Sequence, residues 1–125
     1  MTNESIALAY LDAVGKKDMK RVEELLSPDI QFTGPVMKLS GVREVLASFQ
    51  RIGAIHVRND IVRVFSDKEE VCVIYDFVTD TIGSVPTIEW LRFANGTIMG
   101  VNLFYDQVPW MALREELARR AKATA

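Results

Sequence analysis

The sequence predicts an α+β fold in which a curved, mixed or antiparallel sheet wraps on helices as a cone-shaped barrel with one hollow side. Three observations carry this. Val71 to Asp106 reads as three long strands, VCVIYDFVTD, VPTIEWLRF and TIMGVNLFYD, joined by short connections. Strands of this length run about 30 Å at roughly 3.3 Å per residue, and a sheet of such strands twists and curls. The first half of the chain instead carries apolar residues at helical spacing, which supplies helices to lie across the hollow. With 125 residues the chain is expected to be one domain, able to bury about two thirds of its unfolded surface.

Ile6, Ala9, Tyr10, Ala13 and Val14 form one apolar stripe, the face of a helix that Gly15 can close as a C-terminal cap. Tyr10 lies on that stripe, and leaving its buried hydroxyl unpaired would cost about 1–3 kcal/mol. Asp18 can cap a second helix with Val22, Leu25 and Leu26 inward, stopped by Ser27 and Pro28. The connection is short, so the two helices should form a hairpin. Asp29 to Thr33 reads as a short strand ending at Gly34-Pro35, and Val36 to Leu39 as loop or ragged strand. Ser40 can cap a third helix whose inner stripe is Val42, Val45, Leu46 and Phe49, with Gly53 at its exit. Ala54 to Ser66 alternates β-branched and charged residues, as a half-exposed strand does, and Asp67 to Glu70 is its turn. After the long strands, Pro109 and Trp110 open a last helix with Leu113, Leu117 and Ala121 on one side. Arg119, Arg120 and Lys122 stand at its end, where cations complement the helix dipole.

Composition excludes several classes. The 15 basic and 17 acidic residues are dispersed, whereas nucleic-acid binding needs a concentrated basic face. No apolar run approaches the roughly 20 residues of a membrane span. One histidine and one cysteine cannot assemble a His/Cys metal site, and no GxGxxG, GxxxxGK or GxSxG occurs. Neither metal nor cofactor is expected. The N-terminus lacks the basic flank of a secretory signal, and the single Cys72 fits a reducing cytoplasm.

The facing of the strands decides the chemistry. A two- or four-residue loop at Ile82-Gly83 places Asp76 directly across from Glu89, on the face shared by Ile74 and Val78. Two carboxyls about 5 Å apart in apolar surroundings cannot both ionise cheaply, so one keeps its proton and the pair supplies an acid and a base. At Asn95-Gly96 two registers are open. A two-residue turn pairs Glu89 with Asn102 and brings Asn102, Phe104 and Asp106 inside; a three-residue bulged loop pairs it with Val101 and brings in Val101, Leu103 and Tyr105. The second is favoured because its inner set is more apolar. The opposite face then carries Val71, Val73, Tyr75, Phe77, Ile88, Trp90 and Phe104, an aromatic patch that a second copy of the chain would cover.

The order helix, helix, short strand, helix, then four long strands resembles the nuclear transport factor 2-like superfamily, and within it the SnoaL-like polyketide cyclase and ketosteroid isomerase branches. The segments that carry the likeness are ALAYLDAVGKKDMKRVEELLSPDIQFTGP, LSGVREVLASF and IEWLRFANGTIMGVNLFYD. The resemblance implies that Tyr10 matches the oxyanion-hole tyrosine of the isomerases, and that Glu89, in EWLRF, matches their protonated acid. Their base stands immediately before the proline of DIQFTGP, where this chain has Gly34. Limonene-epoxide hydrolases and SnoaL cyclases are similar in using an acid where this chain has Leu103. Asp76 is therefore the base expected here.

Two functions follow as expectations. One is a cofactor-free isomerase or cyclase acting on a hydrophobic carbonyl compound of steroid, polyketide or terpenoid type, with Asp76 taking a proton while Tyr10 and Glu89 donate to the enolate. Its binding residues would be Phe32, Phe49, Ile74, Val78, Val101, Leu103, Tyr105 and Trp110. His56, a strand histidine of the kind that more often serves structure, would join them. The other is a carrier, sensor or purely dimeric module, its two acids satisfied by an arginine such as Arg58 or Arg92.

Overall fold

A computed structural model describes residues 1–123. Its elements run α1 (Asn3–Gly15), α2 (Met19–Leu25), β1 (Leu26–Thr33), β2 (Lys38–Ser40), α3 (Val42–Ile52), β3 (His56–Asp67), β4 (Glu70–Thr79), β5 (Ser84–Ala94), β6 (Thr97–Tyr105) and α4 (Gln107–Ala123). The six strands form one sheet in the order β2-β1-β6-β5-β4-β3. Only β1 and β6 pair in parallel; the other neighbours are antiparallel. The sheet is curved and unclosed. Among the described residues no helix is long and apolar enough to cross a membrane.

Local chemistry explains the helix ends. Thr2 caps α1 by accepting from the Ser5 N–H, and Asp18 caps α2 by accepting from the Arg21 N–H. Gly15 is the last helical residue of α1; the left-handed turn falls on Lys17 instead. A Cβ at Gly15 would lie 3.5 Å from the Asn59 backbone nitrogen, an ordinary contact distance, so the helix packs against β3 here without requiring glycine. Ser40 is not the α3 cap. Gly41 occupies that position at φ 87°, while the Ser40 N–H donates to Glu44 and its hydroxyl to Gln31. β1 begins at Leu26, before Ser27 and Pro28, because α2 already ends at Leu25. Asp106 opens α4 by accepting from the Val108 N–H, two residues ahead of the expected Pro109-Trp110 start.

α1 is buried on more than one stripe: Ala7 and Leu11 are as enclosed as Ile6 and Tyr10, because the helix contacts α2, β3 and β4. The core continues through Ile30, Ile55, Leu91, Ile98 and Leu113, each almost fully buried and contributing about 1.5–3 kcal/mol by burial.

Both hairpin registers differ from the expectation. Five residues, Thr79 to Gly83, lie between the paired Val78 and Ser84. Thr79 organises the turn: its N–H and hydroxyl both donate to the Gly83 carbonyl, and its oxygen accepts from the Ile82 N–H. An odd loop reverses every side chain relative to an even one. Glu89 therefore stands across from Val73, and Asp76 across from Pro86. Val71, Val73, Tyr75 and Phe77 point inward, at most 8% exposed, whereas Ile74, Asp76 and Val78 alternate to the outside. Ile88, Trp90 and Phe104 do face outward, with Phe65 beside them.

The second hairpin combines the two alternatives. Asn95 and Gly96 form a two-residue turn with φ of 52° and 78°, the left-handed pair that such a turn requires. Beyond it β6 carries an extra residue, Met99, between Ile98, paired with Phe93, and Gly100, paired with Arg92. That bulge flips the parity once more. Glu89 meets Leu103, neither Asn102 nor Val101, and the inner set is still Val101, Leu103 and Tyr105.

Candidate functional site

The hollow of the sheet holds a cavity of about 500 Å³. β5 places Glu89 in its wall, 2% exposed. β4 supplies Tyr75, which pairs with Thr87 and so sits diagonally from Glu89 on the same face. From α1, the Tyr10 hydroxyl donates to Glu89 Oε1 over 2.8 Å, and the Tyr75 hydroxyl donates to Oε2. Each carboxylate oxygen thus receives one phenol and keeps further lone pairs.

Burial pushes the Glu89 carboxyl up to about 6, against the two phenol hydrogen bonds that favour its ionised form. The same burial, reinforced by the Glu89 charge, raises both tyrosines well above their ordinary range, so they remain neutral donors. Neither Arg58 nor Arg92 neutralises Glu89. Arg58 pairs with Asp60, while Arg92 donates to Asn102 and lies over the Trp90 ring.

His56 reaches the cavity from the start of β3, stacked on Phe77 with ring centroids 4.1 Å apart. Its Nε2 lies 2.8 Å from Asn59 Oδ1, and the Asn59 amide is oriented by donation to the Leu11 carbonyl. Since Oδ1 only accepts, Nε2 is the donor in this pair. Burial lowers the histidine pKa, partly offset by the Asn59 bond.

The rest of the lining is largely aromatic. Phe32 and Phe49 meet edge to face at 5.7 Å, and Trp110 lies between Phe77 and Tyr105 at 5.4 and 5.1 Å. Leu103 completes this wall. Arg51, Gln107 and Arg114 are exposed members of the lining and mark where the cavity meets solvent.

The structure thus brings Tyr10, Glu89, His56, Phe32, Phe49, Leu103, Tyr105 and Trp110 to one cavity. It separates Asp76 from them: this residue stands half-buried on the outer face, between Asp60 and Pro86 of the adjacent strands, so no Asp76–Glu89 dyad exists. Ile74 and Val78 leave the lining for the same reason of parity. Val101 points inward but is fully buried in the core, outside the cavity lining. A side chain at Gly34 would meet Met37, itself part of the lining, at 3.2 Å. Tyr75 was missed, although a signal existed. Of the two alternating sets in VCVIYDFVTD, the one containing Asp76 is the one that tolerates water.

The SnoaL-like domain model matches residues 7–101. Among curated proteins no sequence matches the chain. Of solved structures, a protein from Kribbella flavida superposes with a TM-score of 0.81 at 23% identity, covering 98% of this chain and 97% of its own. A nuclear transport factor 2-like protein of unknown function from Cytophaga hutchinsonii gives 0.80 at 16%, over 89% and 96%. One from Sinorhizobium meliloti, described provisionally as a polyketide cyclase, gives 0.73 at 18%, over 80% and 94%. The fold is that of nuclear transport factor 2-like proteins, and the chain belongs to the SnoaL-like domain family.

Proposed function

We propose that the protein binds a lipophilic carbonyl compound of steroid, polyketide or terpenoid size and moves a proton on it without a cofactor, as an isomerase or cyclase. One observation carries this reading: a carboxyl group buried in the wall of an apolar cavity and held between two phenols. With its pKa near 6, Glu89 is mostly ionised at neutral pH and basic enough to take a proton alpha to a carbonyl. Once protonated it accepts more weakly, and the Tyr10 hydroxyl is freed to donate to the enolate oxygen. Glu89 thus takes the role expected of Asp76. His56 and the aromatic lining orient the ligand.

A carrier or sensor is the second reading. It is favoured by Gly34 standing where the isomerases carry their base, with Met37 beside it, and by the expected base, Asp76, lying outside the cavity. Native mass spectrometry of the purified protein identifies the bound molecule. That molecule is then incubated in D2O with wild type and Glu89→Gln. Deuterium entering alpha to the carbonyl with wild type, and about a hundredfold more slowly with the variant, supports the enzyme. Equal uptake removes Glu89 from catalysis, and binding without uptake by either protein leaves the carrier.

The proposal extends to a cytoplasmic homodimer. Phe65, Ile88, Trp90 and Phe104, 37–59% exposed on the outer face, supply the apolar surface that a second copy would cover.

A further inference from the structure

We infer that the molecule held in this cavity is a lipophilic acid, its apolar body filling the chamber and its anionic group met by Arg114 and the indole N–H of Trp110, with Arg51 adding positive charge from α3. The inference rests on reading the cavity as a ligand site.

Three observations lead to it. The Trp110 Nε1 donor is enclosed and has no hydrogen-bond partner among the described residues, a loss of about 1–3 kcal/mol that a turn of the indole toward a ligand oxygen would recover. Arg114 follows Trp110 by four residues on α4, so both stand on the same helix face, and both line the cavity. Charge supplies the third. The chain has 17 acidic residues, yet Glu89, deep in the wall, is the one carboxyl among the lining residues. Arg21, Arg58 and Arg119 are each paired with a carboxylate, while no ion pair joins Arg51 or Arg114 to a described residue. A slightly acidic protein therefore presents, at the entrance to an oily chamber, guanidinium groups with no ion-pair partner among the described residues. Guanidinium suits a planar carboxylate, which it can bind through two parallel hydrogen bonds.

The test uses two fluorescent probes of equal ring size, 1-pyrenebutyrate and the neutral 1-pyrenebutanol, titrated into the full chain. Wild type is expected to bind the acid at least tenfold more tightly than the alcohol, with the difference shrinking as salt is added. In the Arg51→Gln/Arg114→Gln variant, which alters exposed side chains only, the preference should vanish while the affinity for the alcohol stays. Trp110→Phe keeps the ring, removes the donor and should lower the preference severalfold. Equal binding of the two probes by wild type overturns the inference and leaves the cavity a ligand site. Binding of neither probe overturns the ligand-site reading, and this inference with it.

Discussion

At the scale of the residue, Glu89 decides most. Its folded pKa, raised from 4.5 to about 6, means that the native state holds the proton more tightly than the unfolded chain. Its contribution is therefore most favourable below about pH 4.5 and is lost as pH rises through 6, by about 2 kcal/mol. Glu89→Gln cannot ionise. Denaturant unfolding should show wild type losing about that much more stability than the variant between pH 4.5 and 7.5; parallel pH profiles would refute the assignment. His56 works the other way, because its lowered pKa makes its contribution complete above about pH 6.5 and lost on acidification. The variant isolates the carboxyl from this opposing trend. Tyr10 and Glu89 were both legible as cavity residues, one from its place on a helical stripe and both from family likeness. Tyr75 was legible only in the alternation of its own strand, which the loop register expected for the hairpin overrode.

At the scale of the element, helices and strands follow from periodicity, but pairing does not. The hydroxyl of Thr79 closes an odd loop that composition alone does not distinguish from an even one, and the resulting three-residue shift of the pairing moved Asp76 from wall to exterior. The second hairpin erred twice in compensating directions: Asn95-Gly96 makes the tighter turn, and the bulge at Met99 restores the apolar set to the inside. Gly96, at φ 78° with open space around it, is required by backbone conformation alone. Gly96→Ala should destabilise the protein by about 1–2 kcal/mol, measured by chemical denaturation. An unchanged midpoint would mean that the turn is not held in this form.

At the scale of the whole molecule, the curled sheet was legible from strand length, and the helices within it from their stripes. The size and charge of the cavity were not, because they depend on where α4 comes to rest: Trp110, Arg114, Leu117 and Ala121 all border the cavity, although Arg114 is exposed and interrupts the apolar pattern. The outer patch predicts association. Phe104→Glu, at a side chain 51% exposed, should leave the fold intact and convert a dimer to a monomer in sedimentation at micromolar concentration. A monomeric wild type would dismiss the dimer. The two margins of the sheet bear on which contacts are open to it. β2 has only three residues, while β3 has twelve and no neighbour on its far side. Val57 and Val62 interrupt β3 with a bulge each, and Arg58, Asp60, Arg63 and Asp67 stud what is left. Such a kinked and charged rim is a poor template for adding further strands. Crowded copies are thereby steered away from open-ended fibrils, a safeguard built into the same strand that lends His56 and Asn59 to the chamber wall.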